Sequence, residues 1–377
     1  MPMRWPDSPA AAAAARADLA ACRALLRGGS RSFQMASLLL PKRVARPAAA
    51  LYAFCRLADD AIDGTEPGMG AGGAREAALA GLQARLHAAY AGRPAALPAD
   101  RAFALVVAQH GIPRALPEAL LEGLAWDAAG RRYPSLAALE DYAARVAGAV
   151  GAMMALLMGA RGGEALARAS DLGVAMQLTN IARDIGEDAR AGRLYLPLDW
   201  LREAGLAPEA FLAAPAFQPG LGTVVARLLR RADWLYARAE AGIALLPADC
   251  RPGIAAARLL YAEIGRQVER QGLDSVAARA VVPARRKAAL LLRSAALALR
   301  AAPAPAAPPL AANRFLLRAS AAEALPPEAP LPGAFDIPAR LARVLHLFER
   351  LERRDRAHRP AGFEGLSDGL SDPARAG

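Results

Sequence analysis

An all-α fold is predicted by three features of this 377-residue chain. Apolar residues recur at three- and four-residue spacing from about residue 11 to residue 300. Alternating runs of β-branched residues are few. The breaks between periodic segments carry glycine or proline, which interrupt helices for steric and hydrogen-bonding reasons.

Taken in order, the first helix is expected over 14–27, ending at Gly28-Gly29, and the second over 45–63, running into the glycine-rich stretch from Gly64 to Gly73. Helices at 74–91 and 99–109 flank Pro94 to Pro98, and another covers 115–127. The segment 137–159 contains most of Val146 to Ala160, the longest uncharged apolar run, bounded by Arg145 and Arg161. That run falls short of the ~20 residues a membrane span needs and suits a buried helix. Helices over 163–188 and 223–246 lie on either side of a break near Pro215 to Gly222, and 253–272 and 284–299 complete the series. No repeat of repeat-protein length is visible.

After residue 300 the character changes. Ala301 to Pro309 is rich in alanine and proline, cannot continue a helix, and reads as a linker or extended strap. Further on, Leu341, Val344, Leu345, Phe348 and Leu351 oppose Arg343, Glu349, Arg350, Glu352 and Arg353, the pattern of one amphipathic helix. The last twenty residues read as disordered. The expected division is therefore a helical domain over 11–300, and a 301–377 part made of linker, amphipathic helix and tail.

Composition narrows the function. The formal charge is +11, and only Lys42 and Lys287 are lysines, so arginine supplies almost all of it. Such a surface attracts anionic membranes or substrates, although an ordinary basic surface has the same composition. No helix-turn-helix punctuation, RNA-binding aromatic signature or zinc-finger spacing occurs, so no nucleic-acid partner is expected. Cys22, Cys55 and Cys250 are isolated, which suggests buried thiols in a reducing compartment. The alanine run Ala11 to Ala15 precedes Arg16 and Asp18 without a cleavage pattern, so no signal peptide is read. A cytoplasmic protein is expected, either soluble or peripheral on the inner face of the cell membrane.

Chemistry concentrates in two acidic clusters 125 residues apart. In the first, Arg56, Asp59, Asp60 and Asp63 share one helical stripe after the uncharged run Ala48 to Cys55. In the second, Gln177, Asn180, Asp184 and Asp188 step by three or four along one face, with Arg183, Glu187 and Arg190 beside it. Amides and acids in such a row are poor core material, because burying them unsatisfied is costly. They are good material for Mg²⁺ holding a diphosphate. Arg193, in Gly192-Arg193-Leu194-Tyr195-Leu196-Pro197, can grip diphosphate oxygens with its planar fork. Ser30-Arg31-Ser32-Phe33 follows Gly28-Gly29 and reads either as a phosphate-binding helix start or as a plain cap and turn. No GxSxG, HExxH or P-loop motif is present.

These motifs, in this order, resemble the phytoene/squalene synthase family, and most of all its bacterial phytoene synthases. The resemblance covers roughly residues 25–295. It rests on Tyr52-Ala53-Phe54-Cys55-Arg56 running into Asp59 to Asp63, and on Gln177 to Asp184 running through Glu187-Asp188 to Pro197. Ser30 to Phe33, Tyr142 to Gly151, Tyr261 to Ile264 and Arg279 to Pro283 match as well. The resemblance implies an isoprenoid (terpenoid) synthase helical bundle with a central cavity. It implies condensation of two geranylgeranyl diphosphates to 15-cis-phytoene, with squalene or dehydrosqualene synthesis from farnesyl diphosphate as the alternative. Asp59, Asp63, Asn180, Asp184 and Asp188 are implied metal ligands, for Mg²⁺ or Mn²⁺, and no NADPH is expected. Ser30, Arg31, Ser32, Arg56, Gln177, Asn180, Arg183 and Arg193 are implied around the diphosphates, with Tyr52 and Tyr261 in the pocket. The implied partners are a membrane surface for product release and other carotenoid-pathway enzymes.

Overall fold

The computed structural model describes residues 8–28, 31–64, 71–300 and 307–322, the side chains at 28, 31–33, 63, 71, 72, 300 and 322 excepted. No strand occurs among the described residues. The helices are α1 (Pro9–Gly28), α2 (Arg31–Leu38), α3 (Lys42–Asp63), α4 (Ala71–Tyr90), α5 (Pro98–His110), α6 (Ala115–Ala128), α7 (Leu136–Ala143) and α8 (Ala149–Leu157). They continue with α9 (Gly163–Arg190), α10 (Leu198–Glu203), α11 (Pro208–Ala213), α12 (Pro219–Ala241), α13 (Arg251–Arg270), α14 (Ala284–Arg300) and α15 (Arg314–Ala322).

The ten expected helices are present, and α2, α10, α11 and α15 are additions. One expected helix, 137–159, is divided: Ala144–Gly148 forms a π-helical turn between α7 and α8. This turn lies where the chain crosses α9 at backbone contact. A β-carbon on Gly173 of α9 would collide with the Ala147 carbonyl, and one on Gly151 of α8 would collide with the Ala169 carbonyl. Reciprocal glycines let the two backbones touch, and π turns are frequent at such sites.

α9 is the spine, packed by α8, α12 and α13. On one side α1, α3, α4, α5, α6 and α8 share an apolar core that includes Leu51, Phe54, Phe103 and Met153, with Phe54 stacked on Phe103 at 4.0 Å between ring centroids. On the other, α7, α9, α12 and α13 enclose Leu178, Ile181, Leu228 and Tyr236. α2, α13 and α14 form a third, smaller core around Leu39, Leu260 and Leu291.

Residues 307–322 lie against this body. Arg168 of α9 donates to the carbonyl of Ala307 at 3.0 Å, Arg238 of α12 to that of Pro308 at 2.7 Å, and Asn313 to Asp171 at 3.0 Å. Asp171 is fully buried and holds Arg238 as well, at 3.1 Å. Leu316 of α15 is buried in the first core. The expected amphipathic helix around 341–351, residues 301–306 of the Ala/Pro run and the tail lie outside the described residues.

Candidate active site

Between the two main cores lies a cavity of about 1530 Å³, walled by α3 and α6 on one side and by α9 and α13 on the other. α3 presents it because Ala49, Ala53, Phe54 and Ala58 turn into the core, which leaves Tyr52, Arg56 and Asp59 on the cavity side. α9 works the same way. Val174, Leu178, Ala182 and Ile185 are buried, so Gln177, Asn180, Asp184 and Asp188 line the cavity at the expected spacing. Arg183, Arg193 and Tyr261 also border it. Ser30 and the side chains of Arg31, Ser32 and Asp63 lie outside the described residues.

Four of the five acids that line the cavity, Asp59, Asp60, Asp184 and Asp188, have a guanidinium within 4 Å. Arg56 meets Asp60 at 2.7 Å and Asp59 at 3.9 Å. Asp184 receives two guanidiniums, Arg183 (2.7 Å from Nε to Oδ1) and Arg279 (2.8 Å). Arg279 also reaches Glu187 at 3.5 Å, and Arg193 lies 3.6 Å from Asp188. Arg279 arrives on the loop before α14. That loop sits close to α9 because Gly186, between the two acids, has no side chain: a β-carbon there would strike the Val276 carbonyl. The Gly186 amide donates to the Ser275 carbonyl at 3.0 Å across this contact.

Four wall residues were missed as site residues in the sequence: Asp127, Tyr142, Tyr195 and Arg279. Three of them form one unit. Tyr142 and Tyr195 both donate to the Asp127 carboxylate at 2.8 Å, and their rings stack at 5.3 Å, with Tyr133 beside Tyr142 at 5.1 Å. Tyr195 stands inside the motif that carries Arg193, two residues on, and that adjacency was the available signal. Asp127 had none, because only folding brings it between the clusters.

Burial sets the protonation of this wall. It pushes the Asp127 carboxyl up to about 6, aided by the charge of Asp59 and opposed by the two tyrosine hydroxyls and Arg193. Burial likewise lifts Asp188 to about 7, with Asp184, Asp127 and Glu187 adding to it and Arg193 opposing. Asp127 stands electrostatically between the clusters, raised by the charge of Asp59 and itself raising Asp188. Among the described residues no three acid, histidine or cysteine side chains converge closely enough to cage a metal. The donor set nonetheless fits Mg²⁺: hard carboxylate and amide oxygens are crowded on facing helices, and burial drives two of the carboxyls toward the neutral form. Of the three tyrosine rings, those of Tyr142 and Tyr195 line the cavity, and Tyr133 is buried behind them.

The family model described as squalene/phytoene synthase matches residues 26–287. The chain is 57% identical over 276 residues to a phytoene synthase of Cereibacter sphaeroides, covering 72% of this chain and 78% of that one. It is 43% identical over 249 residues to a 15-cis-phytoene synthase of a Paracoccus species, covering 66% and 81%. Among solved structures, a dehydrosqualene synthase with bound ligand superposes with a TM-score of 0.68 at 32% identity, covering 75% of this chain and 96% of that one.

Proposed function

The chain belongs to the squalene/phytoene synthase family, and on that premise we propose that it joins two geranylgeranyl diphosphates head to head to give 15-cis-phytoene. The observation that carries this reading is the pair of acidic clusters facing each other across one cavity. Pockets for a single drug-sized ligand run to about 300–1,000 Å³, and this one, at about 1530 Å³, has room for two substrates.

The reaction has two ionisations. In the first, the C1–O bond of one substrate breaks, diphosphate departs with the electron pair, and an allylic cation remains. The double bond of the second substrate attacks that cation. Loss of a proton closes the cyclopropane of prephytoene diphosphate. In the second, the remaining diphosphate leaves, the cation rearranges, and a further proton loss gives phytoene. Bound Mg²⁺ would supply charge neutralisation to the departing diphosphates, held by Asp59, Asp63, Asn180, Asp184 and Asp188.

The chain's own groups do the rest. Arg56, Arg183, Arg193 and Arg279, which in the structure face the wall's acids, turn to diphosphate oxygens when these arrive, because a guanidinium binds phosphate with the same bidentate fork. Ser30, Arg31 and Ser32 contribute to diphosphate binding, and Gln177 does so from the α9 wall. Tyr52, Tyr261 and the tyrosines on Asp127 border the path of the cation. The apolar remainder, including Leu120, Leu124, Val146 and Ile264, excludes the water that would quench it. An anionic membrane surface receives the product, and carotenoid-pathway enzymes act on it next. No described helix is long and apolar enough to cross a membrane.

The test is a product assay with purified protein and Mg²⁺, offering C15 and C20 diphosphates separately, each with and without NADPH. A C40 hydrocarbon from the C20 substrate without NADPH is expected. Turnover of the C15 substrate alone would transfer the assignment to squalene or dehydrosqualene synthesis.

A further inference from the structure

The rim of the cavity exposes apolar side chains. Leu25 near the end of α1, Leu97 before α5 and Val281 before α14 all line the cavity, yet all are exposed, Val281 to 65%. These residues mark its mouth. Three residues beyond Val281, α14 begins and repeats the pattern. Leu290, Leu291, Ser294 and Ala298 are buried. On the opposite side Arg285, Ala289, Leu292, Ala296 and Leu299 are exposed, within an arc of about 80° at 3.6 residues per turn. Leu292 is 54% and Leu299 79% exposed. Arg293 stands on one flank and Arg300 continues its spacing in the sequence, while Arg286, seven residues before Arg293, is held by the buried Glu263 at 2.9 Å. The helix contains no acidic residue.

An exposed leucine stripe beside arginines is costly in water and suits the boundary between acyl chains and anionic headgroups. Nothing packs on the stripe among the described residues. The segment that could reach it from beyond residue 322 is itself basic around 340–356: Arg340, Arg343, Arg350, Arg353, Arg354 and Arg356 outnumber Glu349, Glu352 and Asp355. Charge complementarity therefore selects a lipid surface.

We infer that the outer face of α14, continuous with the apolar rim of the cavity mouth, docks on an anionic lipid surface and sets the mouth against the headgroups. This deepens the membrane partner proposed above by naming the residues that meet it. Substrate tails and product would then pass between bilayer and cavity without crossing open water.

The test is flotation of the full chain, without substrate, with vesicles of phosphatidylcholine alone or of phosphatidylcholine mixed with phosphatidylglycerol. Because no turnover is read, its outcome is independent of the reaction assignment. The wild-type chain is expected to float only with the anionic vesicles. The double variants Leu292→Ser/Leu299→Ser and Arg285→Gln/Arg293→Gln are each expected to lose about tenfold or more in partitioning, at unchanged thermal midpoint. Wild-type flotation by both variants, or none by the wild type, overturns the inference. A second measurement uses Leu299→Cys labelled with bimane, with the wild-type chain treated identically as control. Its emission is expected to shift to the blue only when anionic vesicles are added. A blue-shifted emission before that means the face is already covered by protein, which also overturns it.

Discussion

At the scale of single residues, Asp188 sits at the balance between two demands. Its carboxyl titrates near 7 in the folded chain against an ordinary value near 4. Between those values the native state holds a proton that the unfolded state has lost, so stability falls as pH rises from about 4 to about 7 and is level above that. Asp188→Asn removes this dependence. We expect the variant to be more stable than the wild type at pH 8 by on the order of 2 kcal/mol, to match it near pH 4, and to be inactive. Urea unfolding at the two pH values, with a turnover assay beside it, checks all three. A variant less stable than the wild type at pH 8 would mean that Asp188 serves the fold. The gain reflects a wall built for charge that arrives with the ligand. This part of the site was legible in the sequence, since Gln177, Asn180, Asp184 and Asp188 announce one face by spacing alone. Asp127 was not. Its role comes from Tyr142 and Tyr195, 15 and 68 residues away, which converge on it only in the folded chain.

At the scale of elements, positions without side chains place those that line the candidate site. Gly186→Ala puts a methyl group against backbone that cannot rotate away, at the contact that brings Arg279 to Asp184. The expected cost is about 1–3 kcal/mol, with turnover reduced although no reacting group is touched. Gly163→Ala at the start of the same helix meets nothing within 4 Å and serves as the control. Equal effects of the two substitutions on the urea midpoint would refute this account. The helices themselves were readable because their apolar faces repeat over many turns. The π turn at 144–148 was not, because it depends on how closely α8 meets α9. The short α10 and α11 were missed for a related reason: six residues do not establish a period.

At the scale of the whole molecule, the segment 307–322 joins the two halves of the bundle. It contacts α9 and α12 through Arg168, Asp171 and Arg238, and the first core through Leu316. Asp171→Ala would leave the nearly buried Arg168 without its carboxylate partner, at an expected cost of about 3–5 kcal/mol. Asn313→Ala removes one hydrogen bond to the same carboxylate and should cost about 1–3 kcal/mol. Chemical denaturation of both variants tests this ranking, and a reversed order would place the main anchor elsewhere. The alanine and proline run read in sequence as a strap or a linker. Only the fold discloses that a lone asparagine beyond it completes a buried ion network.

That clasp bears on synthesis. Asp171 and Asn313 are 142 residues apart, so at about 5–20 residues per second the carboxylate leaves the ribosome about seven to twenty-eight seconds before its last partner. During that interval the spine helix carries a polar group that the finished molecule conceals. A nascent chain therefore cannot close its final seam until nearly all of the enzyme's working surface has been made, and translation speed through 172–313 sets how long it waits.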